Sequence, residues 1–229
     1  MEKEEIESLR AVKLFSLLSD EELQLIAGRI VMREFKKNET ILQEDATNNV
    51  MYGIVSGRVK VSRMSEDGKE TIIAFHPAGE FFGEVSLIDG KTSPARVIAE
   101  TNSKIMILSK ENFYSLVYEN RKFLDTLLQV LCSELRESWE RINILSFNNA
   151  AERIRLFLTS LIPKYGETVG AEITLNIKFT HQDIGNMTGI SRETVTRVID
   201  KLQRDEEVLV DEHKLICLQE KFFQRDSLV

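Results

Sequence analysis

Cysteine is nearly absent from this chain of 229 residues: Cys132 and Cys217 are the only two, and they lie far apart. Two such residues supply neither a zinc set, nor a disulfide framework, nor an iron-sulfur ligand set, so both read as reduced packing residues. Positive charge is not in excess either, with 30 Lys and Arg against 37 Asp and Glu and a net charge of −7. That balance excludes binding to polyanions through net charge alone and confines any nucleic-acid role to a local surface. No apolar run approaches the ~18 residues of a membrane span. The start, Met1-Glu2-Lys3-Glu4-Glu5, lacks the cationic and apolar regions of a secretory signal, so a cytoplasmic protein is expected. P-loop, dinucleotide fingerprint, nucleophile elbow and metal-ligand pair are all missing, which argues against an enzyme and against a bound metal. What is present, 42% hydrophobic and 29% charged residues, suffices for one large globular domain or two small ones.

The hydrophobic period changes repeatedly along the chain. From about Ile6 to Arg29 it is helical, with Ser19-Asp20-Glu21-Glu22 spaced as a capping box ahead of Leu23 and Ile26. From Val31 to Ile107 short apolar or alternating runs follow one another: 40–42, 51–55, 59–61, 71–75, 95–99 and 104–107. Turn residues separate them, including the hairpin signal Asp67-Gly68, so a small antiparallel barrel or sandwich is expected. After Ser109 the period is helical again. Leu124, Leu128, Leu131, Leu135, Ser138, Ile142 and Leu145 then follow at spacings of 4, 3, 4, 3, 4 and 3, an a/d seam that suits a two-chain coiled coil. Ser138 breaks the apolar seam, either as a tolerated small residue or as a hydroxyl that touches something bound at the interface.

A further helix is expected over about 149–161, stopped by Pro163, followed by a polar loop over 164–170 and a strand through Ile173, Leu175, Ile177 and Phe179. Thr180 can cap a short helix running through Ile184 to Met187, Thr188-Gly189-Ile190 turns the chain, and Ser191 can cap a second helix from Arg192 to about Arg204. Two short strands, 208–210 and 215–218, complete the pattern helix, turn, helix, wing. On the second helix Arg192, Glu193, Thr196, Arg197 and Asp200 share one arc, and Val195, Val198, Ile199 and Leu202 the other. A charged arc is ordinarily solvated surface. Here caps, turn, apolar face and wing agree on a motif that places such a helix in the major groove, where Arg donates to guanine and Glu accepts from cytosine. A two-fold dimer would bring two such helices to half-sites about 34 Å apart. In the β segment, Gly79-Glu80-Phe81-Phe82-Gly83-Glu84 could let backbone amides approach a small molecule beside an acidic side chain, although a barrel corner has the same needs.

The segments 51–61, Asp67-Gly68-Lys69-Glu70, 79–84 and above all Ile190-Ser191-Arg192-Glu193-Thr194-Val195-Thr196-Arg197 resemble the bacterial cyclic-AMP receptor protein and fumarate/nitrate-reduction regulator (Crp/Fnr) family, over nearly the whole chain. The resemblance implies an α+β protein in three parts. These are a cyclic-nucleotide-binding-type β-roll sensor (1–118), a long dimerisation helix (119–147) and a winged helix-turn-helix (148–229), working as a homodimeric, ligand-gated transcription regulator that recruits RNA polymerase. It implies that Arg192, Glu193 and Arg197 read a palindromic, TGTGA-like operator on double-stranded DNA. Thr180, His181, Ser191, Thr196 and Lys201 complete the candidate DNA-binding set, and Leu124, Leu128, Leu131, Leu135, Ile142 and Leu145 form the dimer seam.

For the effector, the resemblance points to Gly83, Glu84, Val85, Ser93, Ser138 and Trp139. Glu84 matches the ribose-binding acid, and Ser138 falls where a hydroxyl meets the adenine. Cyclic-AMP-binding relatives carry an Arg-Ser pair at the phosphate, where this chain has Ser93-Pro94 before Ala95. A neutral serine lacks the charge and proline removes a donor, so an effector other than cyclic AMP, or none, is expected. The alternative is a cyclic-AMP-dependent member with a rearranged phosphate site. Arg96, three residues on, belongs to the opposite face of its strand and is not expected to substitute. Iron-sulfur sensing lacks its N-terminal cysteines, and haem sensing would have only His76, which reads as structural.

Overall fold

The computed structural model describes residues 3–147 and 149–224. Helices α1 (Lys3–Arg10) and α2 (Asp20–Ala27) flank a single 3-10 turn at Lys13–Phe15. The Ser19 hydroxyl accepts from the Glu22 amide at 3.2 Å while Glu22 accepts from the Ser19 amide at 2.7 Å, the capping box expected from the spacing. Leu9, Val12, Leu14, Phe15, Leu18, Leu23 and Ile26 from this segment are buried in one apolar cluster with Met51, Met106 and Leu108.

Eight strands follow: β1 (Ile30–Phe35), β2 (Thr40–Leu42), β3 (Val50–Ser56), β4 (Arg58–Met64), β5 (Glu70–Pro77), β6 (Phe81–Phe82), β7 (Arg96–Ala99) and β8 (Ser103–Ser109), with helix α3 (Glu84–Asp89) between β6 and β7. They form two antiparallel sheets, ordered β1-β8-β3-β6 and β2-β7-β4-β5. Alternate residues from both sheets, among them Phe35, Tyr52, Ile54, Val59, Phe82, Val97, Ala99 and Ile105, make a shared core. The hairpin β4–β5 closes at Asp67-Gly68, with Gly68 at φ +79° and its amide donating to the Ser65 carbonyl at 2.9 Å. In this part of the chain β1 and α3 differ from the sequence expectation. β1 carries polar Arg33 and Glu34 on an edge strand and shows little apolar alternation. α3 is a single short helix inside what reads as a cradle loop.

Helix α4 (Lys110–Glu119) is capped by the Ser109 hydroxyl, which accepts from the Asn112 amide. Helix α5 (Arg121–Ser146) then runs 26 residues without a break. The chain divides into two compact units between Glu134 and Leu135, inside α5. Phe123 and Leu127, on its amino-terminal half, are buried in the first unit's core.

The second unit contains α6 (Ala150–Ser160), α7 (Ile162–Tyr165), β9 (Gly166–Val169), β10 (Glu172–Leu175), α8 (His181–Thr188), α9 (Arg192–Arg204), β11 (Val208–Val210), β12 (Ile216–Leu218) and α10 (Glu220–Gln224). Its sheet has the order β11-β12-β10-β9. Pro163 opens α7 instead of ending a helix, because the first helical turn needs no amide donor there. The expected polar loop at 164–170 is mostly strand β9, registered against β10 from Gly166↔Leu175 to Val169↔Glu172. Ile144 of α5 joins Ile154, Phe157, Leu158, Leu175, Ile184, Val195, Ile199, Leu202 and Leu218 in the core. Among the described residues no helix is long and apolar enough to cross a membrane.

Candidate nucleic-acid interface and effector cradle

The helix-turn-helix is built from caps and small residues. Thr180 accepts from the Asp183 amide at 3.1 Å, and Asp183 accepts from the Thr180 amide at 2.8 Å, which fixes the start of α8. Gly189 ends α8 at φ +67° with its amide bonded to the Gly185 carbonyl. A Cβ on Gly185 would come within 2.6 Å of the Ile190 carbonyl oxygen, so only glycine lets the turn fold back this closely. Ser191 caps α9 by accepting from the Thr194 amide at 3.3 Å. Val195, Ile199 and Leu202 are then buried under α9, while Arg192, Glu193, Arg197, Asp200 and Lys201 are exposed.

The eight candidate DNA-binding residues fall into two groups. Thr180 and Ser191 serve as helix caps. His181 Nδ1 lies 2.8 Å from Thr196 Oγ1, and that hydroxyl also donates to the Arg192 carbonyl at 3.0 Å, so these two side chains tie the helices to each other. Arg192, Glu193, Arg197 and Lys201 instead stand in solvent from one helix. Thr194 is absent from the sequence-derived set. Its hydroxyl accepts from Arg197 Nη2 at 3.0 Å and so braces that guanidinium, a role that the spacing of three between Thr194 and Arg197 signals.

In the roll, Gly83 has φ +90° and introduces α3. A Cβ there would meet the Tyr52 ring, Asn48 Nδ2 and the Val50 carbonyl at 3.0 to 3.1 Å. Asn48, which sequence reasoning passed over, is buried and donates to the carbonyls of Val50 (2.8 Å) and Gly83 (2.9 Å), so it clamps the cradle turn. Glu84 is 5% exposed, and its Oε2 has no hydrogen-bond partner among the described residues. Burial pushes its carboxyl up to about 7. Ser93 is buried as well. Its hydroxyl donates to the Ala95 carbonyl at 2.8 Å, and its backbone pairs with Asp45 and Ala46. Val85 is half-exposed. Ser138 and Trp139 are exposed on α5, in the other compact unit.

Arg96 precedes Val97, which enters the roll core, so its side chain leaves from the opposite face. His76 Nδ1 lies 2.5 Å from Glu80 Oε2, which engages one ring nitrogen within the fold. Along α5, Leu128, Leu135, Ile142 and Leu145 stay between 46% and 67% exposed, Leu124 and Leu131 are half-buried, and Trp139 stands beside the same stripe. One copy of the chain thus leaves most of the seam uncovered.

Residues 32–120 match the model of the cyclic nucleotide-binding domain, and residues 152–221 that of the Crp-like helix-turn-helix domain. The cAMP-activated global transcriptional regulator CRP of Haemophilus influenzae is 36% identical over 161 residues, 70% of each chain. The cyclic AMP receptor protein of Thermus thermophilus is 27% identical over 197 residues, 86% of this chain and 88% of the other. A CooA mutant from Carboxydothermus hydrogenoformans superposes with a TM-score of 0.81 at 22% identity, over 94% of each chain. Its likeness concerns the fold, an α+β arrangement of β-roll, long helix and winged helix-turn-helix. With a cyclic nucleotide-binding-type roll, capped helix-turn-helix and wing in this order, and with relatives that are regulators rather than enzymes, the chain belongs to the Crp/Fnr family of DNA-binding transcription regulators.

Proposed function

We propose that the chain acts as a homodimer on a palindromic, TGTGA-like operator and recruits RNA polymerase there, with a roll that answers to an effector other than cyclic AMP or to none. The observation that carries the operator reading is the trio Arg192, Glu193 and Arg197, exposed together on the first half of a helix whose start is capped and whose other face is buried. Two such arginines can each donate twice to guanine, and the glutamate between them can accept from cytosine. The exposed heptad stripe on α5 supports pairing, since an apolar face of this length is normally covered.

The same family membership suggests cyclic AMP as the effector, and Glu84 suits a ribose hydroxyl. The phosphate side supports the opposite reading. Ser93 is neutral and its hydroxyl is already given to the Ala95 carbonyl, Pro94 has no amide proton, and Arg96 leaves from the far face of its strand. A cyclic phosphate would therefore be desolvated near a carboxyl group without a cation. A cyclic-AMP-dependent mechanism remains the second reading, favoured by Glu84 and by the relatives that are cAMP-activated. Titration calorimetry separates the two: the first predicts no tight cyclic-AMP binding, and tight binding that disappears in Glu84→Ala overturns it.

Base reading is tested with Arg192→Ala and Arg197→Ala against the selected operator and its single-base variants. Each substitution is expected to cost about 1 to 3 kcal/mol on the selected sequence and to relax preference at one base pair. An equal loss on every sequence would show that these arginines touch phosphates alone.

A further inference from the structure

Carbonyls at the carboxyl ends of helices lack intrahelical donors and need partners from elsewhere. In the second unit one side chain serves two such ends. Arg153, in the first turn of α6, donates from Nε at 3.0 Å and also from Nη2 to the carbonyl of Phe147, the residue that follows α5. From Nη1 it donates at 3.0 Å to the carbonyl of Thr188, the last residue of α8. The guanidinium fork is planar and permanently charged, so it fixes the angle between the two carbonyls as well as their separation. Its charge also lies at the negative ends of both helix dipoles. The start of α6 does not depend on it, because Asn149 Oδ1 accepts from the Ala151 amide at 2.9 Å.

The neighbourhood makes this bridge a joint between α5 and the recognition helix. A Cβ on Gly189 would lie 3.7 Å from Arg153 Nη1 and 3.9 Å from Leu145 Cδ2, so the α8–α9 turn lies close to both the fork and the last turn of α5. Thr188 is fully buried, and its hydroxyl donates back to the Ile184 carbonyl at 2.6 Å. Two residues past Gly189, Ser191 caps the helix that carries Arg192, Glu193 and Arg197. Ile144, also in the last turn of α5, is buried in the winged-helix core.

We infer that Arg153 is a positioning residue for operator recognition: its bridge from the Phe147 carbonyl to the Thr188 carbonyl locks the recognition helix to the end of α5. A dimer joined along α5 then presents its two recognition helices at one separation. Arg153 touches no base in this account, and it sets spacing rather than sequence. The inference rests on the dimeric, palindromic reading above.

The test uses the full-length protein, the operator selected by the wild type, and operators whose half-sites are moved together or apart by two base pairs. Wild type is expected to favour the selected spacing. Arg153→Met is expected to keep the selected half-site bases while its preference for that spacing falls by about tenfold. Arg153→Lys keeps the charge but not the fork, so it is expected to show a similar loss, and it decides the matter if the methionine variant does not fold. Melting curves and sedimentation establish folding and dimerisation for each variant. Wild-type spacing preference in a folded, dimeric variant overturns the inference. So does failure of both variants to fold, which would make Arg153 a residue of the fold itself. A wild type that selects no paired half-sites overturns the palindromic reading instead, so the two failures are distinguishable.

Discussion

The recognition helix and the turn at the start of α3 in the roll treat their polar side chains in opposite ways. On α9, Arg192, Glu193 and Arg197 stand in solvent. In the roll, Glu84 and Ser93 are buried, the serine hydroxyl is given to Ala95, and one oxygen of the glutamate has no hydrogen-bond partner among the described residues. A helix meant for a groove in a large polyanion can be finished before its partner arrives, since water solvates its charges until then. A small-molecule site must withdraw its polar groups from water, and each group left without a partner raises the free energy of the empty state. A donor placed beside the buried Glu84 carboxyl would therefore lower its free energy.

Breaking the pairing of two chains should have the largest effect. Leu135→Lys with Ile142→Lys places two charges in the exposed stripe of α5 and is expected to give monomers in sedimentation. Operator affinity should fall by roughly a hundredfold or more, because the second half-site is then no longer engaged within the same particle. An undiminished dimer would show that the stripe is not the interface.

The cradle should reveal itself through pH. The raised carboxyl of Glu84 means that the folded chain holds a proton more tightly than the unfolded one. The stability linked to that proton is fully present below the ordinary carboxylate value of 4.5 and is lost as pH rises through about 7. Across that window the loss should amount to about 2 to 3 kcal/mol in the wild type and be absent in Glu84→Gln. Urea melts of both proteins at pH 5 and pH 8 measure it. Parallel pH dependence would mean that Glu84 is solvated or paired, and the contrast between the two regions would weaken. The recognition-helix alanine substitutions are expected to act on a comparable or smaller scale, and to leave this pH dependence untouched.

The same contrast explains what could be read in the sequence. Ser19, Ser109, Thr180 and Ser191 cap helices because capping depends on residues three apart, and local spacing is visible in a single sequence. The helix-turn-helix was legible for this reason, as was the long period of α5. Strand β1, with Arg33 and Glu34 on a sheet edge, takes its structure from the distant strand β8, whereas β9, a polar glycine-containing stretch, pairs with the adjacent strand β10 across Gly170-Ala171 and lacks the apolar alternation that marks a strand. Asn48 escaped notice likewise, since the carbonyl of Gly83 that it clamps is 35 positions away. In the same way, Arg153 reads in the sequence as one more charge on an amphipathic helix, and only the fold brings Phe147 and Thr188 to its two sides.

Selection of bound duplexes from a randomised DNA pool, with the full-length wild-type protein, tests the central claim most directly. The account predicts an inverted repeat of two TGTGA-like half-sites, with centres about one helical turn apart. Enrichment of a single unpaired element, or of no sequence at all, would contradict it.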